Sequence, residues 1–281
     1  MIVVHQDRSI IEISGIERKT FLQGLITNDV NKISKNNLIY SVMLNAQGRF
    51  LYDFFIFEKE EILFLDCLNS RRDEILQKFK FYKLRTKVEF KKNDELIVGQ
   101  DLEGELLQKN PEITTYPDPR SLVLGHRIYF LKSGLSDEAL GSGLKPTKDQ
   151  FQIQDESFYH LLRIKNKIPE GELDLTYEKS FILEFGFDDL NAIDYKKGCY
   201  VGQELTARTH HLGEIRKKII HIVIDKNEAE KQELQKGSKL FSKEDSSSIG
   251  NKKPDGKPSG IFLSSVTSGN EVHALILSNL N

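Results

Sequence analysis

Only two cysteines, Cys67 and Cys199, occur in the 281 residues, and neither lies in a C-x-x-C. Two thiols so placed cannot build a disulfide framework, and a reducing compartment is the expected setting. Long apolar runs are also missing. The longest, such as Phe54 to Phe57 and Ile62 to Leu65, fall far short of the roughly 18 residues that span a bilayer, and mean hydropathy is −0.42. An excess of one charge sign is lacking as well: 40 Lys+Arg stand against 42 Asp+Glu, a net charge of −2. No global field therefore draws the chain to nucleic acid or to a membrane, and neither is an expected partner. There is no internal repeat, no glycine-rich phosphate loop and no heptad array. The first residues have neither a secretory signal pattern nor an Arg-rich transit helix, so the mature chain is expected to start at Met1, in a bacterial cytoplasm.

The length allows two compact units. Arg8 to Ile13 reads as a strand, followed by a capping box at Ser14 to Glu17 and a helix carrying Phe21, Leu22 and Leu25 that ends near Gly24 to Thr27. Leu38 to Leu44 and Leu51 to Phe57 read as a hairpin around Asn45-Ala-Gln-Gly48, with a third strand at Ile62 to Leu68. Ser70 is expected to cap a helix whose apolar face holds Ile75, Leu76, Phe79 and Tyr82, before strands at Lys87 to Phe90 and Glu95 to Val98. Residues 38 to about 100 thus form an α+β unit. The proline-bearing stretch 101 to 120 reads as a connection, and Ser121 to Phe130 as a strand. Gly134, Gly141, Gly143 and Pro146 mark a linker. Thr147 with Gln150 offers a second capping box, opening a helix with a stripe of Phe151, Phe158, Leu161 and Leu162 as far as about Lys167. Strands at Lys217 to Ile224, Lys239 to Ser242, Gly260 to Val266 and Glu271 to Ser278 predict a small C-terminal β-barrel or sandwich, with Lys243 to Ser259 a solvated loop. The expected division is 1–210 and 214–281.

The most informative stretch runs from Lys196 to Gly213, KKGCYVGQELTARTHHLG. A lone cysteine is commonly a small buried hydrophobe. Here Gly198 and Gly202 flank Cys199, Lys196 and Lys197 precede it, and Gln203 to Thr209 reads as two helical turns, placing the thiol ahead of a helix N-terminus. That setting favours a reachable thiolate. His210 and His211 are adjacent, so their side chains diverge, and with one cysteine they fall short of the four ligands of a closed zinc site. No stably bound metal is expected.

The block Lys197, Gly198, Cys199, Tyr200, Gly202, Gln203, Glu204 resembles the K-G-C-x-x-G-Q-E signature of the YgfZ family, folate-binding proteins related to the T-protein (aminomethyltransferase) of the glycine cleavage system. The extension Leu205 to Gly213 resembles the branch that includes mitochondrial iron–sulfur assembly factors. The resemblance implies a T-protein-like folate-binding fold with a small C-terminal β-barrel, tetrahydrofolate as cofactor, and Cys199 as the catalytic thiol. It also implies A-type iron–sulfur carriers as partners and indirect support of cluster-dependent enzymes such as those modifying tRNA. A cluster normally takes four thiolates, so a partner must complete any site at Cys199. The alternative is a tetrahydrofolate-dependent aminomethyltransferase.

Asp53 shares a strand face with Phe55 and Phe57, and is either a paired inward carboxylate or the polar end of an exposed edge. Asn45 to Asp53 resembles the T-protein segment N-x-x-G-G-x-x-D-D, which carries Asn45 and Asp53 over as pocket residues. Arg49 and Tyr52 replace the second Gly and first Asp, which counts against the transferase reaction more than against the pocket. Leu162 to Pro169 resembles L-R-x-E-A-G-x-P. Arg163 matches, while Lys165 stands where a pterin-binding Glu is implied, and an ammonium only donates. Glu184 is the nearest alternative acceptor, or else a surface acid. Arg208 suits a folate glutamate tail or an ion pair with Glu204, four residues back on the same helix face.

Overall fold

The structure is a computed structural model describing residues 1–104, 113–132, 153–242, 249–250 and 258–280. Its strands form three five-stranded sheets. The first has the order β3 (Ile39–Leu44), β4 (Phe50–Lys59), β5 (Ile62–Leu68), β2 (Arg8–Ser14), β6 (Glu89–Asn93). The second runs β10 (Ile153–Gln154), β1 (Ile2–Val4), β7 (Leu96–Asp101), β9 (His126–Leu131), β8 (Thr114–Pro117). The third, the antiparallel half-barrel of the C-terminal β-barrel, runs β11 (Lys217–Asp225), β15 (Glu271–Asn279), β14 (Gly260–Ser268), β12 (Lys239–Ser242), β13 (Ile249–Gly250). The fold is α+β.

Period-two alternation sorts β4 between two cores. Phe55 and Phe57 point into the core shared by the first two sheets, while Tyr52, Phe54 and Ile56 face α1 (Arg18–Gln23) and α2 (Arg72–Lys83). On α2 Ile75, Leu76 and Phe79 are buried, as the periodicity predicts, while Tyr82 of the same expected face is only partly buried. Helix α3 (Ser157–Lys165) and the single turn α4 (Gly171–Asp174) connect the central core to β14, and α5 (Gln203–Leu212) and α6 (Lys226–Gln232) follow.

Several expected boundaries move. Ser14 does not cap α1: the helix begins at Arg18, and the Glu17 carboxylate accepts from the Lys87 amide at 2.7 Å instead. Nor does Ser70 cap α2, since it lies within a 3₁₀ turn, Asn69–Arg71. The unit at 38–100 takes in β2 and yields β7 to the second sheet, because a strand's partner is not written in its own alternation. Part of the 101–120 connection is β8, an edge strand that tolerates Pro117 at its end. On α3 the stripe is out of phase: Tyr159, Arg163 and Ile164 are buried, whereas Phe158 is 47% exposed. The Thr147–Gln150 capping box, Phe151, the linker at Gly134 to Pro146 and most of the 243–259 loop lie outside the described residues.

The first two sheets are joined by charge. Asp66 of β5, fully buried, accepts from Arg8 Nε at 2.7 Å, from Arg127 Nε of β9, and from Tyr129 Oη at 3.2 Å. Burial would raise the Asp66 carboxyl, but Arg127 and Arg8 hold it below the usual carboxylate range. Removing the carboxylate strands two guanidiniums in a dry interior. Asp66→Ala is therefore expected to cost about 3–5 kcal/mol in urea unfolding. A depressed folded pKa gives stability that is complete above the unfolded value near 3.8 and lost as pH falls through the folded one. Acid titration of the wild type should show this loss, and Asp66→Asn should lack that component.

Candidate functional site

Glycine and lysine do different work around Cys199 from that expected. Lys197 is half-buried, and its Nζ donates to the carbonyl oxygens of Gln23 at 2.8 Å, Ile26 at 2.6 Å and Asn28 at 2.9 Å. All three ammonium protons are thus directed at the carbonyl-rich end of α1, away from any role as counter-ion to the thiol. Burial lowers the Lys197 ammonium to about 8. Asp194 holds the amides of Lys196 and Lys197, and the Val201 amide donates to Gly24 O at 3.1 Å.

Gly202 is the glycine that the backbone requires. Its φ is +81°, and a Cβ there would lie 2.3 Å from Asn45 O and 2.9 Å from Leu44 Cβ. At Gly198 nothing lies within 4 Å of such a Cβ. The loop is therefore pinned at Lys197 and at Val201–Gly202, and between these anchors Cys199 is exposed. Tyr200 closes the base of the loop: its amide donates to Gln203 Oε1 at 3.1 Å, its ring lies 5.0 Å from Lys197 Nζ, and burial pushes its hydroxyl up to about 12. Gln203 opens α5, the helix predicted for 203–209 and three residues longer. Glu204 and Arg208 are both exposed, and no ion pair joins them among the described residues. His210 stacks on Tyr195 at 3.7 Å, a packing role. Among the described residues no group of three or more His, Cys, Asp or Glu is placed to hold a metal ion.

The residues carried over as a pocket are dispersed. Asn45 holds the β3–β4 turn beneath Gly202, its Oδ1 accepting from the amides of Gln47 and Arg49, so its contribution is to the loop's footing. Asp53 is inward and buried: Tyr40 Oη donates to it at 3.3 Å, Arg8 Nη1 lies at 3.5 Å, and burial raises its carboxyl. Gly171 covers it so closely that a Cβ there would lie 2.3 Å from Asp53 Oδ1. Arg163 is sealed too, with Asp174 Oδ2 at 2.8 Å, Ser264 Oγ at 3.1 Å and His160 Nδ1 at 3.0 Å, which makes it a clasp between α3, α4 and β14 rather than a surface for ligand. The departures at 49 and 52 are structural. Arg49 stacks on Phe181 at 3.4 Å, and Tyr52 points to the opposite face from Asp53, donating to Glu74 at 2.6 Å.

Glu184 lies in the walls of two neighbouring cavities, of 220 and 550 Å³, and Lys217 Nζ is 2.9 Å from it. The larger is also lined by Asn166, Lys167, Lys218 and Arg120. Arg120 is buried, salt-bridged to Asp118 at 2.8 Å, and its Nη1 has no hydrogen-bond partner. A volume of this order, with the Glu184 carboxylate as acceptor and Lys167, Lys217 and Lys218 in its walls, fits a donor-bearing ring with an anionic tail. Asp53, covered by Gly171, does not line it.

Sequence reasoning missed Glu170. Lys165 is exposed at the end of α3, but five residues on, Glu170 is a buried carboxylate 2.6 Å from Tyr159 Oη. Burial opposes its ionisation, yet Arg120, Arg163, His5 and Arg8 hold it well below the usual range. Arg8, Asp66, Arg120 and Arg127 were missed likewise. The available signal is a single charge inside an apolar strand, as in ILFLDCL and HRIYFL.

No family model matches the chain. A Pyricularia oryzae protein named as an iron–sulfur cluster assembly factor IBA57 homolog, mitochondrial, is 31% identical over 274 residues, covering 93% of this chain and 68% of the relative. The chain belongs to the IBA57 family. A Neurospora crassa IBA57 homolog is 34% identical over 237 residues, 77% of this chain and 52% of that protein. For mouse IBA57 the values are 32% over 241 residues, 78% and 64%. The chain thus spans about half to two thirds of the length of these IBA57 relatives. This is the branch that Leu205 to Gly213 resembles. All three relatives are named mitochondrial, which does not support the expectation of a bacterial cytoplasm; no helix among the described residues is long and apolar enough to cross a membrane. Among solved structures, the glycine cleavage aminomethyltransferase T of Bartonella henselae superposes with a TM-score of 0.68 over 99% of this chain and 78% of that one, at 13% identity. The IBA57 chain therefore has the T-protein-like fold.

Two glycine substitutions separate the footing of the loop from its tip. Gly202→Ala is expected to cost at least about 2 kcal/mol in chemical denaturation, from a left-handed φ plus the clash with Asn45. Gly198→Ala should stay within about 0.5 kcal/mol. Lys197→Met, which leaves three carbonyls without their donor, is expected to cost about 2–3 kcal/mol.

Proposed function

We propose that this protein is an accessory factor in iron–sulfur cluster assembly or repair, in which Cys199 is a transient cluster ligand or thiol-exchange group offered to a partner. The observation that carries this reading is the presentation of Cys199: an exposed thiol at the tip of a loop fixed on both sides. Cys67, the other thiol of the chain, is buried beside Ser9, and burial pushes it up to about 12, which leaves it inert. A cluster held at Cys199 must take its remaining ligands from the partner. The names of the relatives support the cluster chemistry. An A-type carrier is the proposed partner, and support of tRNA-modifying enzymes would be indirect.

Tetrahydrofolate is the proposed cofactor, held in the cleft at Glu184. When bound, it offers pterin amino and ring N–H donors and an anionic tail. Glu184 would accept from the former, while Lys167 and Lys218 suit the latter. Asp53, paired with Arg8 and covered by Gly171, is not available for the aminomethyl transfer implied by the alternative reading.

Complementation of a strain lacking such a factor tests the thiol. Wild type should restore aconitase-type activity and Cys199→Ser should not; equal rescue removes the thiol from the function. Calorimetric titration with tetrahydrofolate tests the cleft. Glu184→Gln is expected to weaken binding about tenfold or more through loss of a charge-assisted hydrogen bond, and Cys199→Ser should bind as wild type does.

A further inference from the structure

On the far side of α1 from the cysteine loop, three large apolar side chains stand in solvent. Ile16 is 82% exposed, Phe81 76% and Leu84 87%. They share one ridge: Phe81 and Leu84 are three residues apart at the end of α2, and Gly15 and Glu17, flanking Ile16, both contact Lys87, three residues past Leu84. Leu84 is held at φ +45°, the helix-terminal position that glycine commonly fills, so an apolar side chain is exposed at a strained backbone. Segment 78–92 carries seven Lys or Arg against one Glu in a chain whose net charge is −2. Lys91 and Lys92 pair with Glu12 and Asp73, whereas Lys78, Lys80, Lys83, Arg85 and Lys87 form no ion pair among the described residues.

We propose that this ridge docks the protein on an anionic lipid surface, with Ile16, Phe81 and Leu84 entering the headgroup layer and the surrounding Lys and Arg reaching the lipid charges. Shape and charge together favour lipid over a protein partner. The apolar residues protrude instead of lining a groove, and five cations on long flexible stems lie within three residues of Phe81 or Leu84 in the chain, which suits a soft surface of diffuse negative charge. A cation near such a surface contributes about 1 kcal/mol, so five orient a chain that has no net attraction of its own.

Cosedimentation of the full chain with vesicles tests this. Binding is expected to phosphatidylcholine vesicles containing phosphatidylserine, and not to phosphatidylcholine alone, and it should weaken with salt. Lys80→Glu/Arg85→Glu/Lys87→Glu should reduce affinity on the order of a hundredfold or more. Leu84→Gly should lower binding while raising the melting temperature, because glycine relieves the positive φ. Opposite movement of these two readings excludes misfolding as the cause. Equal binding to neutral vesicles, or unchanged binding by the variants, overturns the proposal. So does absence of cosedimentation at low salt, which would assign the ridge to an acidic protein instead.

Discussion

One carboxylate, that of Asp66, decides how the two N-terminal sheets meet. It reaches Arg8 within its own sheet and Arg127 and Tyr129 across the interface, in a region of almost no solvent. Apolar packing alone would let such sheets slide, whereas a carboxylate facing two guanidiniums has one low-energy placement. From there the charges continue outward. Arg8 lies against Asp53, Glu170 lies within 3.8 Å of both Arg120 and Arg163, and Arg163 with Asp174 clasps Ser264 of β14. A chain of buried charge thus runs from the first sheet to the C-terminal half-barrel. Burial raises the Asp53 carboxyl, against the opposing pull of Arg8 beside it.

The cysteine loop is held by other means. Its anchors are backbone carbonyls, a lysine that satisfies three of them, and a glycine pressed against the β3–β4 turn. Hydrogen bonds of this kind fix position without placing a compensating charge near the exposed thiol. Strand β4 links the two regions: its first residues follow the turn that supports Gly202, and its middle carries Asp53 into the buried cluster. The segment Asn45 to Asp53 therefore has a structural reason to be coherent, independent of any ligand.

Legibility in the sequence followed range. The hairpin at Asn45 to Gly48, the buried face of α2, the four C-terminal strands and α5 all rest on local periodicity and turn chemistry, and all are present. Ser14 and Ser70 had the right residue types for caps, but Gly15 at φ +102° and a 3₁₀ turn took the chain elsewhere first. The pairing of β7 with β1 and β9 was invisible, because alternation tells a strand which residues face inward and nothing about its neighbour. At the site, the motif points to Cys199, which is exposed, while its neighbours act otherwise than their residue types suggest. Lys197 looked like a source of field at the thiol; only tertiary structure could show three carbonyls waiting for it. Arg163 looked like a ligand contact, and its partners at 174 and 264 are far off in sequence.

Helix α1 connects the two exposed surfaces. Its C-terminal carbonyls grip Lys197 and Val201, and the turn before its N-terminus carries Ile16. Six helical residues rise about 9 Å, so a surface touching Ile16 would stand one short helix from the footing of the cysteine loop. A rigid element that short transmits orientation with little loss. If the ridge lies on lipid, the direction in which Cys199 is offered is fixed relative to that plane, and a partner bringing the remaining ligands need search only the surface left open. A partner confined in this way loses less orientational freedom on binding, which helps a site that has one thiol and depends on a second molecule for the rest.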